Sequence, residues 1–559
     1  MLGKLIRAAG EASLGVAAII TVACIYSCLG LAVPCQEGGI VSRSVLLQLG
    51  LPGTAGWALL LSAYLLPRRH VAIPGLVAVA AATFASAILE SPLPLAALTA
   101  TLLAAAALRS REEAAEALLL GVVAVEAAVV LYTLCWAFSL KLPAPPVLPL
   151  HLALYLPLTP IVPLLAFLST ISPILALAAP RRAGERVATG RVPIAAPLLL
   201  SALTWAIIYH SPLNPGGERL IGVDPNTRYY PHALQMEKQG LASVLTVGHD
   251  RPLYYLLLYL LARLTGPLEA VKLLPLISMA LYTLSTYLFA KELWGRRQAE
   301  LAAYLSAVSY TTTAGLYGGL YNNWATLALS LLAYTYLVKW HRSRRLLHAG
   351  AYLALLAAAL ATHVYMGAVL AAATTLTLLI LLATSSRKRG VLALLLVQAA
   401  LAAALGYAAL AYAEPRKTLP LATAVRTTVN SWVRRALSTT PLSPPWWDDY
   451  VKAVINYAAT AALDPTTWLL TIAALSTMHP LSLEGAVLLP WMLVVAALSA
   501  TAPSSLIWRA LYDYPYPVAE AAALARISSV FPKHQKLLTA AALSFKTAYT
   551  LAYATALAT

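Results

Sequence analysis

Apolar runs of about 20 residues recur from one end of the chain to the other, broken by short stretches rich in arginine, lysine and proline. Each run is long enough to cross a hydrocarbon core of roughly 30 Å. The pattern predicts helices over 12–33, 47–66, 71–89, 94–108, 114–138, 148–178, 193–209, 270–290, 299–316, 323–338, 347–361, 365–383 and 391–413, with a further group after Pro465. Prolines inside 148–178 predict a kinked span, or one helix plus a re-entrant piece. Ala- and Leu-rich runs do not suit a closed barrel, the other structure that satisfies its backbone in lipid. The expected fold is all-α and polytopic, with about 16–17 transmembrane helices. The run 12–33 lacks a small-residue cleavage site behind a short apolar core and reads as a retained helix.

Composition agrees, with 60% hydrophobic and 11% charged residues. The net charge of +17 would suit a nucleic-acid binder, but the basic residues are dispersed among short loops. Taking Lys4 and Arg7 as cytoplasmic, the basic loops at Arg68-Arg69, Arg181-Arg182, Arg296-Arg297, Lys339 to Arg345 and Arg387 to Arg389 return to one side. The positive-inside rule therefore accounts for the charge, and no nucleic-acid partner is expected.

Two polar interruptions are too long to be simple turns, 210–269 and 414–465, and a shorter one spans 504–517. Helix counting puts all three on the extracytoplasmic face. Within the first, Arg251 to Leu264 is too short for a span and carries two arginines, so it reads as an interfacial helix. The chain divides into an N-terminal six-helix region of unassigned role, 1–192, a core, 193–413, an outer amphipathic loop or lid, 414–465, and C-terminal helices, 466–559.

With only 22 acidic residues, a carboxylate in an outer loop is a candidate for chemistry. The first loop holds Gly222-Val223-Asp224-Pro225 and His249-Asp250-Arg251-Pro252. An interfacial helix opening Arg251-Pro252-Leu253-Tyr254-Tyr255 follows, then a helix ending Ala290-Lys291-Glu292-Leu293-Trp294-Gly295-Arg296-Arg297. This order resembles the C-type (GT-C) superfamily of polyprenyl-phosphate-sugar glycosyltransferases, which includes protein mannosyltransferases, aminoarabinose transferases and oligosaccharyltransferases. The resemblance covers roughly Pro193 to Ala413, with Arg509 as an extension. It implies an extracytoplasmic site in a plasma-membrane enzyme, a polyprenyl-phosphate-linked sugar as donor, and a protein, lipid or glycan as acceptor.

Sugar transfer from a lipid phosphate needs a carboxylate to take the acceptor proton, a cation to hold the leaving phosphate and a water-excluding cavity. The resemblance implies Asp224 as the base, touching a divalent metal or not. An Asp-Pro turn is the plain alternative. It also implies that Asp250 orients the acceptor, although Asp before Arg-Pro equally suits a helix N-cap. Arg509 is a candidate phosphate clamp, with headgroup snorkelling as its alternative, and Arg434 and Arg435 are further candidates. Tyr229, Tyr230, His232, His249, Arg251 and His363 are site-lining candidates. The tyrosines read equally as interfacial aromatics, and the histidines as surface or helix-end groups.

The run Trp446-Trp447-Asp448-Asp449-Tyr450 is close to the acceptor-recognition signature of oligosaccharyltransferases, but it carries an extra Asp and no following glycine. The outer turn Gly315 to Asn323 has no acidic pair for a divalent metal. A single-sugar transferase is therefore expected rather than an oligosaccharyltransferase. Glu126 inside a predicted span is costly unless paired or facing water. Cys24, Cys28, Cys35 and Cys135 have no metal spacing. A transporter or lipid flippase is the competing class, but neither an inverted repeat nor a midplane helix break is evident.

Overall fold

The computed structural model describes residues 81–82, 111–138, 162–178, 192–247, 251–385, 388–413, 450–451, 453–454, 464–501 and 504–558. Among these no strand occurs, and the architecture is an all-α polytopic membrane fold. Four described helices are long and apolar enough to cross a membrane, Pro267–Trp294, Val364–Thr384, Lys388–Leu405 and Leu483–Thr501.

The chain forms two units. The first holds α1, Arg111–Ala137, where Glu126 is buried, and most of the last helix, Gln535–Ala558. Apart from a 3-10 turn at Pro532–His534 and the last residue of the helix Tyr516–Val530, all other described helices belong to the second unit. In order these are α2 (Val162–Ala178), α3 (Ala195–His210), α4 (Tyr230–Gln239), α5 (Ser243–Val247), α6 (Pro252–Thr265), α7 (Pro267–Trp294), α8 (Arg296–Ala307), α9 (Tyr310–Gly318), α10 (Tyr321–Ser343), α11 (Leu346–Thr362), α12 (Val364–Thr384), α13 (Lys388–Ala413), α14 (Pro465–Leu475), α15 (Leu483–Thr501), α16 (Ser504–Tyr512) and α17 (Tyr516–Val530).

Local chemistry sets the boundaries. Gly266, with φ 86°, ends α6 and precedes Pro267 at the first position of α7, the arrangement that fixes a helix start. Glu269 lies in the first turn of α7 and Lys291 in the last, each at the end of the macrodipole that favours it. α6 is 14 residues long, about 21 Å, and cannot span.

The expected single helix 299–316 is broken. α8 stops at Ala307, Ser309 is extended (φ −87°, ψ 170°), and α9 begins at Tyr310. The threonine run behind the break explains it. Thr312 Oγ1 donates to Ser306 O at 2.7 Å, and the Thr312 and Thr313 amides donate to Ser309 O. These local bonds offer the backbone partners that a continuous helix would otherwise supply.

The second unit is centred on α7, α10, α11 and α12. α10 packs against both α7 and α11, and α12 against α11 and α15. Some of the polar groups inside are satisfied across helices, as lipid favours. Tyr352 donates to Gln398 Oε1 at 2.5 Å, and Gln398 Nε2 donates to Ala371 O at 2.9 Å, tying α11, α12 and α13 together. Tyr334 stacks on Trp491 at 4.9 Å.

The two ends of this bundle differ in character. One gathers the basic loops: Glu292 meets Lys339 at 3.7 Å and Arg342 at 3.5 Å, and Arg344 donates to Ser385. Glu484 there accepts from Trp294 Nε1 at 2.8 Å and faces Arg526 at 3.6 Å. The other end carries the first long loop and the turns 318–321 and 362–364.

Candidate functional site

Two glycines seat Asp224. Gly222 has φ 100°, and a Cβ there would fall 2.7 Å from Gly319 Cα and N. Gly319 has φ 64°, and its Cβ would overlap Pro225 Cδ at 1.9 Å. The 222–225 segment and the 318–320 turn therefore meet backbone to backbone, an approach that any side chain would block. Further bonds fix the loop. Tyr321 Oη donates to Ile221 O at 2.9 Å, the Ile221 amide donates to Tyr209 Oη at 3.3 Å, and Asn226 Nδ2 donates to Leu220 O and Gly222 O.

Asp224 is 5% exposed. It occupies the N-cap position of a short π-turn, Pro225–Tyr229, with helical φ −63° and ψ −36°, yet its side chain makes no capping bond. The carboxylate instead has Arg228 Nε 3.8 Å from Oδ1. The turn is thus built by the backbone, and the side chain is not consumed by it.

Tyr229 corrects the interfacial reading of that residue. It is fully buried, and its hydroxyl donates to Asn322 Oδ1 at 2.7 Å, bringing α10 to the loop. Burial pushes its phenol well up, the Asp224 charge adds to this, and Arg251 opposes it. Tyr230 is half-buried. His232 turns to α6, with Nδ1 2.9 Å from Tyr255 Oη.

The cationic side comes from three elements. Arg251 is buried at the start of α6, in the N-cap position itself, with φ −149° and ψ 48°. α6 packs on α11, whose C-terminal neighbour is His363. His363 is extended (φ −159°, ψ 107°) and also N-caps α12, with Nδ1 accepting from the Met366 amide at 3.4 Å. Burial holds its imidazole well below the usual range, and the charges of Arg251, Arg509 and Arg228 act in the same direction. Those three arginines and His363 therefore share one electrostatic environment. Arg509 lies on α16 with its guanidinium over the Trp508 ring at 4.9 Å.

Beside them, Asp513 is 1% exposed and its Oδ2 has no hydrogen-bond partner among the described residues. Burial pushes its carboxyl well up. Trp491 Nε1 donates to Asp513 O at 2.8 Å, anchoring the turn after α16 to α15. Tyr365 lies in the field of both Asp513 and Arg509.

The structure thus brings Asp224, Tyr229, Arg251, His363 and Arg509 to one end of the bundle. His249, Asp250, Arg434 and Arg435 lie outside the described residues. Arg228 joins the site although the sequence reading passed over it, and its position four residues after Asp224 on a helical turn was the available signal. Among the described residues no three His, Cys, Asp or Glu side chains gather as metal ligands.

Fold and site define an all-α polytopic membrane protein with a buried carboxylate and several guanidinium groups at one end of its bundle. Solved structures similar to it include the oligosaccharyltransferase of Archaeoglobus fulgidus in the apo form, 14% identical with a TM-score of 0.41, covering 65% of this chain and 56% of that one. Another is the archaeal oligosaccharyltransferase AglB from Archaeoglobus fulgidus in complex with an inhibitory peptide and a dolichol-phosphate, 14% identical with a TM-score of 0.35, covering 64% and 56%. ArnT from Cupriavidus metallidurans bound to undecaprenyl phosphate is 12% identical with a TM-score of 0.35, covering 65% and 77%. The chain spans little more than half the length of the archaeal enzymes. No family model matches it, nor does any curated protein.

Proposed function

We propose that this chain is a membrane glycosyltransferase of the C-type superfamily. It would move a sugar from a polyprenyl-phosphate-linked donor to a protein, lipid or glycan acceptor on the extracytoplasmic face of the plasma membrane. The observation that carries this reading is the placement of Asp224, a buried carboxylate free of capping duty, at the same bundle end as Arg251 and Arg509. Base and phosphate clamp are the two groups the reaction needs.

In this mechanism Asp224 takes the proton of an acceptor hydroxyl or amide. The acceptor atom bonds to the anomeric carbon as the carbon–oxygen bond to phosphate breaks, and the electron pair leaves with the phosphate. Arg509 and Arg251 neutralise the charge that develops there, with Arg434 and Arg435 as further donors to it. The leaving phosphate departs well and needs less acid help than a glycoside oxygen. Asp250, beside Arg251 in sequence, orients the acceptor, and Tyr229 holds the loop through Asn322.

The two roles separate kinetically. Asp224→Asn is expected to lower kcat by about 100-fold or more with little change in donor KM. Arg509→Ala is expected to raise donor KM as well. Equal kcat in wild type and Asp224→Asn would remove the base from the mechanism.

A further inference from the structure

His363 is a buried donor in search of an acceptor. Its Nδ1 accepts the Met366 amide proton, so the neutral imidazole carries its own proton on Nε2. That Nε2 is buried and has no hydrogen-bond partner among the described residues, on a side chain 6% exposed. Leaving such a group unmet costs its full desolvation. Arg509 Nε and the Tyr365 hydroxyl are in the same condition, and the Tyr365 ring lies 6.3 Å from the imidazole.

Three unmet buried donors in one positively charged environment suit an anion. α12 begins at Val364, next to His363, and a helix N-terminus favours negative charge. The neighbouring acid does not cancel this, because burial pushes Asp513 toward its neutral form. Arg251, Arg509 and Arg228 supply positive charge around the ring.

We infer that His363 is a phosphate ligand. Its Nε2–H, aimed by the backbone bond at Nδ1, donates to the phosphate of the lipid-linked sugar donor alongside Arg509, and keeps that bond as the phosphate leaves. This rests on the glycosyltransferase reading and names the group that completes its donor subsite.

The test is binding, read by calorimetry on the full-length protein in detergent, with farnesyl phosphate, farnesol and inorganic phosphate as probes. His363→Asn keeps an oxygen able to cap α12 but is too short to reach the Nε2 position, whereas His363→Gln places an amide N–H near it. Farnesyl phosphate is expected to bind His363→Asn about 10-fold or more weakly than wild type, and His363→Gln within about threefold of wild type. Farnesol binding is expected to be the same in all three. Inorganic phosphate repeating the loss in His363→Asn would show that the anion alone is read. Inorganic phosphate that binds none of the three would show that the lipid-borne phosphate is required. Either result supports the assignment. Equal farnesyl phosphate binding by wild type and His363→Asn would make the histidine a helix cap only. Equal losses in the Asn and Gln variants, with melting temperatures unchanged, would also overturn the donor role. Wild type that binds no farnesyl phosphate would instead overturn the enzyme reading.

Discussion

Gly319→Ala tests whether the seat of Asp224 matters as much as the carboxylate. The new Cβ would lie 1.9 Å from Pro225 Cδ, 2.7 Å from Pro225 Cγ and 3.3 Å from the Asp224 amide nitrogen. Carbon atoms rest at about 3.5 Å or more, so the 222–225 segment must retreat by roughly 1.5 Å. The left-handed φ of 64° adds about 1–2 kcal/mol of backbone strain. A displacement near 1 Å can cost on the order of 100-fold in rate. Gly240→Ala separates the two effects, since Gly240 has φ 78° but nothing within 4 Å of its Cβ position. Its ψ of −172° lies in a region that essentially only glycine populates, so alanine there carries at least as much backbone strain while leaving the site in place. Transfer rates per folded protein, with melting temperatures in detergent, read the outcome. Gly319→Ala should lose about 100-fold in transfer and Gly240→Ala less than about threefold, with a lower melting temperature in both. Near-wild-type transfer by Gly319→Ala would refute the argument that this contact positions Asp224.

Further expectations follow from the same geometry. Tyr229→Phe leaves Asn322 Oδ1 without its buried donor and should cost about 1–3 kcal/mol, read as a lower melting temperature. Asp513 has its carboxyl pushed above the unfolded value of about 3.9, so the folded state holds a proton that the unfolded state gives up. Its contribution to stability is therefore complete below about pH 4 and is lost as pH rises toward the folded value. Asp513→Asn should remove that dependence and melt no lower than wild type at pH 8, in a melting series from pH 4.5 to 8. A markedly lower melting point at pH 8 would mean that the carboxylate is charged and paired. Glu484→Ala removes the partner of Arg526 and Trp294 at the basic end, and should lower the melting temperature while leaving donor KM unchanged.

How much of this could be read from the chain depended on the range of the interaction. The helix expected at 347–361 is found at Leu346–Thr362, and the interfacial helix begins one residue after Arg251, because apolar length and Gly or Pro boundaries act locally. The break at Ser309 was hidden by threonines, which are neutral in a hydropathy pattern and act through hydroxyl bonds to the backbone. The burial of Tyr229 was not legible either. Its partner Asn322 lies 93 positions away, and an aromatic pair in an outer loop looks the same whether it faces lipid or a neighbouring helix. Likewise Gly222 and Gly319 each read as a turn residue. Only their mutual approach shows why both must lack a side chain. His363 was visible as a helix-end histidine, but which of its nitrogens is engaged depends on the Met366 amide.

The most direct measurement is transfer of radiolabelled sugar from polyprenyl-phosphate donors in membranes containing wild type or Asp224→Asn at matched expression, with an EDTA arm for metal dependence. Transfer by wild type that falls about 100-fold or more in Asp224→Asn is the predicted result. Equal transfer by the two proteins would contradict the role of Asp224, and no transfer from any donor by wild type would contradict the enzyme itself.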